Sequence, residues 1–147
     1  MQISSRFTIA IHIFACVDVF KDDYKLTSDF LASSINVNPV IIRKVMQQLK
    51  RAELINVAKG TGGIEPTRPL SQITLLDIFR AVDSIENNQL FHFHENPNTQ
   101  CPVGRNIHNG LDDKLLSIQQ AMENRMAQIT VADVINDTQN YIKKEND

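Results

Sequence analysis

From Pro39 to Arg51 the apolar residues Ile42, Val45 and Leu49 recur at three and four residues. With Ile41 and Met46 beside them, this spacing predicts a helix with one inner face. Val40, Arg43, Lys44 and Gln47 are neighbours at three and four residues elsewhere on the same cylinder. Asn38 is suited to cap this helix, and Pro39 to its first position, where a missing N–H is harmless. Upstream, Thr27 and Ser28 open a shorter helix, Asp29 to Ser34, with Ser28 the expected acceptor for a first-turn N–H. Ile35 to Asn38 makes the turn between the two. Downstream, Leu54 to Val57 has the pattern of a strand, and Gly60-Thr61-Gly62-Gly63 that of a tight hairpin tip. Two helices, a tight turn and a glycine-tipped hairpin, in that order, predict a winged helix-turn-helix.

The flanking pattern completes a mainly α fold with a small β-hairpin wing and a long dimerisation helix. Ile3 to Phe20 is apolar round most of its circumference. Ile3, Phe7, Ala10, Ile11, Phe14, Val17 and Phe20 are the expected core positions under the helix-turn-helix. After the wing, Ser71 or Thr74 caps a helix carrying Leu75, Leu76, Ile78, Phe79 and Val82. Asn87 to Arg105 is rich in asparagine, proline and glycine and is the expected hinge loop. From Arg105 to Ile129 the helical period returns, with Leu111, Leu115, Ile118, Met122, Met126 and Ile129 in a coiled-coil-like stripe. A helix of about 25 residues is about 37 Å long, too long for a small winged domain to cover. The stripe therefore predicts a partner helix from a second copy, with Leu111, Leu115, Ile118 and Met122 at the interface. Thr130 caps a last helix, to about Lys144, whose Val134, Ile135 and Ile142 are placed to cover that seam. The expected division is 1–86 for DNA binding, 87–105 for the hinge, and 106–147 for dimerisation.

The chain has 147 residues, 42% of them hydrophobic, enough for a real core. No segment is long and apolar enough to cross a bilayer. The most apolar run, Ile9 to Val17, is interrupted by His12. Arg6 and that run resemble a signal peptide faintly, but Asp18, Lys21, Asp22 and Asp23 follow where small residues belong, so a cytoplasmic protein is expected. Overall net charge is −2. Pro39 to Arg68 holds six basic residues (Arg43, Lys44, Lys50, Arg51, Lys59, Arg68) and two acidic ones (Glu53, Glu65), a balance of +4, so the remainder carries −6. A basic face on an acidic body suits a protein that presents one surface to phosphate. No nucleophile elbow, phosphate loop or zinc motif is present, and no enzyme is expected.

These features assign the expected contacts. Val40, Arg43, Lys44 and Gln47 occupy the half of the helix that meets base edges in helix-turn-helix proteins. Ser28 and Asn38 stand at the starts of the two helices. Lys59, Thr61 and Gly62 place the wing along the backbone or minor groove of double-stranded DNA. A winged-helix protein-interaction module is the alternative, although such a surface would favour apolar or aromatic anchors.

The runs T-S-x-x-L-A, N-P-V-I-I-R-K, G-T-G-G and I-T-L-x-D-I-F-R-A-V-D, and later N-P-N-T-Q-C-P-V-G-R-N-I, resemble the Rrf-two (BadM-type, Rrf2) regulators of bacteria, from Ile3 to about Asp133. The resemblance implies homodimeric transcription regulators, usually repressors, with an N-terminal winged helix and a long dimerisation helix. Several such proteins sense iron–sulfur status, nitric oxide, cysteine supply or oxidants. Pro66 departs from the pattern at a wing position that is normally apolar. Proline cannot donate to a ladder, so a free edge or the end of pairing is expected there.

The hinge concentrates His92, His94, Glu95, Cys101 and His108. Some members resembled here carry three cysteines in this region that hold an iron–sulfur cluster; this chain has only Cys101. Clusters are held by several thiolates, so no cofactor and no metal are expected. A mixed metal site built from the hinge residues is the alternative. Cys101, before Pro102 in the loop, is the expected redox sensor, with Cys16 on the first helix the second candidate; the commoner role of either is a small structural hydrophobe.

Overall fold

The computed structural model describes residues 3–58, 63–83 and 89–147. Helix α1 (Ser5–Phe20) is capped by Ser4, whose side chain accepts the Arg6 N–H. Ile9, Ala10, Ile13, Phe14, Cys16 and Val17 are its buried residues. The expected stripe holds at Ala10, Phe14 and Val17, with Phe7, Ile11 and Phe20 packed at its margin. Ile3 is 44% exposed, and Ile9, Ile13 and Cys16 are buried instead. The reason is geometric: α1 meets partners on several sides, so its buried arc is wider than one stripe.

Helix α2 (Ser28–Ile35) is capped by Thr27, not Ser28. Thr27 has extended backbone, and its Oγ1 accepts the Phe30 N–H at 3.1 Å, which leaves Ser28 as the first helical residue. Asn36 ends the helix in the left-handed region at φ 61°. Helix α3 (Pro39–Arg51) begins at the expected cap, where Asn38 Oδ1 accepts the Val40 N–H at 2.8 Å. Ile42, Val45 and Leu49 are fully buried and Met46 partly so. Ile41 is exposed rather than internal, because the inner arc of α3 is filled by the three-residue seam beside it.

Strands β1 (Ile55–Val57) and β2 (Ile64–Pro66) pair antiparallel, with Ile55 opposite Pro66 and Val57 opposite Ile64. Ile55 and Ile64 are buried. Pro66 is the last residue of β2, at the end of pairing, where its missing donor is tolerated. The hairpin tip, with Lys59, Thr61 and Gly62, lies outside the described residues.

Helix α4 (Leu75–Val82) is capped by Thr74, with Asp77 completing a reciprocal capping box. Ser71 instead lies in a short 3-10 turn, Leu70–Gln72. Helix α5 (Pro102–Met126) starts three residues earlier than the spacing predicts, with Pro102 at its first position. The loop before it therefore ends at Cys101. Asn98 folds onto the first turn of α5, and a Cβ on Gly104 would collide with the Asn98 carbonyl. Helix α6 (Val131–Glu145) has a Thr130–Asp133 capping box. Its start is clipped to that of α4: Val131 N–H donates to Ile73 O at 2.8 Å, and Leu75 N–H to Ile129 O at 2.9 Å. Val131 and Ile135 consequently enter the N-terminal core. Ile135 is thus not available to cover a dimer seam, while Ile142 remains exposed.

Candidate nucleic-acid interface

Burying Ile42, Val45 and Leu49 determines what α3 leaves outside. Val40, Arg43, Lys44 and Gln47 are all exposed on it, Val40 to 47%. The four predicted base-facing positions therefore share one accessible side of one helix. Ile41 joins Val40 as a second exposed apolar residue, and such side chains can meet a thymine methyl group. The sequence reading missed this because a helix-edge isoleucine matches the inner pattern equally well.

The cations divide. Arg68 pairs with Asp77 at 2.9 Å and donates through Nε to Gln72 O, so it braces the start of α4 instead of adding to the basic face. Arg43, Lys44, Lys50 and Arg51 remain exposed along α3. Between α2, α3 and β1 lies a cleft of about 400 Å³. Leu26, Met46 and Val57 give it an apolar lining, and Ser28, Arg43 and Lys50 a polar one. Arg43 Nη1 donates to Ser28 Oγ across it at 3.4 Å. Asn38 commits its side-chain oxygen to the α3 cap.

The hinge residues divide as well. His92, His94, Glu95 and His108 line a second cleft, of about 570 Å³, with Phe93 and Asp112. His108 Nδ1 lies 3.0 Å from Asp112 Oδ1, and the His94 and His108 ring centres are 5.2 Å apart. Cys101 is exposed at the start of α5 and does not line this cleft. Cys16 is buried in α1, with its Sγ 3.3 Å from Ser34 Oγ.

On α5 the inward position belongs to Gln119, whose Oε1 accepts the Leu90 N–H at 2.9 Å. The predicted interface residues Leu111, Leu115 and Met122 are partly buried, and Ile118 is 55% exposed. Gln119 escaped the sequence reading because a glutamine breaks an apolar stripe. Its spacing of four from Leu115 and three from Met122 was the available signal.

A family model matches residues 3–137. The chain belongs to the Rrf2 family of iron-dependent transcriptional regulators. A relative, YwnA of Bacillus subtilis, named as an HTH-type transcriptional regulator, is 40% identical over 135 residues, covering 92% of this chain and 98% of YwnA. A crystal structure described as a DNA-binding protein is 35% identical, with a TM-score of 0.70, over 89% of this chain and 99% of that one. CymR of B. subtilis, described as a global cysteine regulator, shares the fold at 15% identity, with a TM-score of 0.66 over 92% of this chain and 97% of CymR.

The family's description implies iron, and the donors among the described residues do not fit it. Among the described residues no three His, Cys, Asp or Glu side chains converge in a geometry that could hold a metal ion. The loop offers one thiol, and the nearest imidazole pair has Asp112 already engaged on His108. A cluster needs several thiolates.

Proposed function

We propose that this chain is a sequence-specific DNA-binding transcription regulator acting as a homodimeric repressor. The observation that carries the proposal is the exposed Val40–Arg43–Lys44–Gln47 side of α3, set opposite a fully buried seam in a winged helix. Arginine can pair bidentately with guanine, and glutamine with adenine. In this reading Asn38 and Ser28 stand at the starts of α3 and α2 beside these contacts, and the wing residues Lys59, Thr61 and Gly62 are assigned to the DNA backbone or minor groove. The stripe on α5 pairs with its copy, so the operator is an imperfect palindrome. The protein works in the cytoplasm.

Cys101 is the proposed input. It is exposed at the N-cap of α5, the helix assigned to dimerisation in this reading. Oxidation there adds bulk, and a bias of a few kcal/mol between two dimer geometries suffices to change operator affinity.

Selection of bound duplexes from a random pool, with reduced and with oxidised protein, tests both parts. The expected result is an imperfect palindrome enriched by reduced protein and released on mild oxidation, but retained by Cys101→Ser. Absence of any enriched sequence contradicts the DNA reading and supports a protein-interaction module, the reading that the exposed Val40 and Ile41 pair favours. Equal oxidant response in wild type and Cys101→Ser removes Cys101 as the sensor.

A further inference from the structure

Among the described residues, Arg43 forms no ion pair; its polar contact is with a hydroxyl. Its Nη1 donates to Ser28 Oγ, fifteen residues away on the neighbouring helix. Ser28 is the first residue of α2, and its hydroxyl is not spent on capping, because Thr27 holds that role. The contact is not driven by charge. The N-terminus of α2 carries the positive end of the helix dipole, which disfavours a guanidinium there. The partner that Arg43 does have there is a neutral oxygen, at 3.4 Å.

We infer that Ser28 is a positioning residue for Arg43: its hydroxyl fixes the guanidinium at the rim of the α2–α3 cleft, so that α3 meets DNA with its arginine already ordered. The inference rests on α3 being the base-reading helix and adds the residue that sets its specificity. A free arginine side chain carries rotamer entropy that binding must otherwise remove. Ordering it in advance lowers that cost, as preorganisation does for binding groups generally. With Nη1 engaged by Ser28, the Nε–Nη2 edge stays available for two parallel bonds to guanine O6 and N7. Leu26, Met46 and Val57 line the same cleft as Arg43 and Ser28.

The test is a double-mutant cycle read by operator affinity and by base preference at each operator position, using full-length protein. Ser28→Ala should weaken binding about 3- to 10-fold, the size of one modest hydrogen bond. It should also flatten preference at the same base pair as Arg43→Ala. Ser28→Thr, which keeps the hydroxyl, should retain wild-type preference. In an Arg43→Ala background Ser28→Ala should cost nothing further. The melting temperature should not move, since Thr27 still caps α2. An equal loss in both backgrounds overturns the inference, because Ser28 would then act directly on DNA or through the fold. An effect of Arg43→Ala with none from Ser28→Ala overturns it too, while leaving the base-reading role of α3 intact. Silence of Arg43→Ala overturns both.

Discussion

At the end of α4, Asp83 Oδ1 accepts the Ser4 backbone N–H at 3.2 Å, while Oδ2 is buried with no partner among the described residues. Burial raises the pKa of this carboxyl above its ordinary value, against the opposing Ser4 hydrogen bond and the charge of Arg6. A raised pKa means that the folded state resists ionisation. The cost is absent below the unfolded pKa of about 3.9 and is incurred as pH rises through the folded value. Asp83→Asn keeps an oxygen for Ser4 and removes the charge. It should therefore melt higher than wild type at neutral pH, with the difference vanishing in acid. Paired thermal melts across that range check this, and a constant difference at all pH values contradicts it. At this scale the sequence was legible where chemistry leaves one option, as for Asn38 before Pro39. It was ambiguous where two neighbours offer the same group. Thr27 and Ser28 both carry hydroxyls, and only the backbone decides which one caps. No sequence pattern signals the tether from Ser28 to Arg43, because it joins residues on two helices.

The elements were legible wherever periodicity was strong. Helix α3, the first wing strand and α4 lie close to where the pattern puts them. Helix α5 was predicted to begin at Arg105, because Pro102 and Gly104 look like loop residues. Proline is instead at the first helical position, where it is well tolerated. Gly104 lies inside the helix, where a Cβ would collide with the Asn98 carbonyl. The position of α6 was hidden because its clip to α4 is made by backbone groups, which leave no trace in residue type. With Ile135 drawn into the core, the proposed dimer contact falls to α5. Val103, Leu116 and Ile118 remain exposed on it, and Leu111, Leu115 and Met122 are half-covered. Leu115→Asp together with Ile118→Asp places charges in that apolar seam. Sedimentation should show monomers for this variant and dimers for wild type; an intact dimer would move the interface elsewhere.

In the whole molecule, α1 is the scaffold against which α2, α3, α4, the second wing strand and α6 all pack. The fold class follows from patterning, since the predicted helices and the wing pairing are present and in order among the described residues. The functional surface follows only in part. The exposed side of α3 is the complement of its buried side and could be read from the same periodicity. Which other cations join it could not, as Arg68 shows by turning to Asp77. A dimer built through α5 presents two copies of α3, whose spacing must match half-sites about 34 Å apart or a multiple of this. The central claim is that the exposed side of α3 reads bases, and operator affinity of Arg43→Ala and Gln47→Ala measured against wild type tests it most directly. Each should lose about 1–3 kcal/mol and relax preference at one position per half-site. Unchanged affinity and unchanged preference in both variants would contradict it.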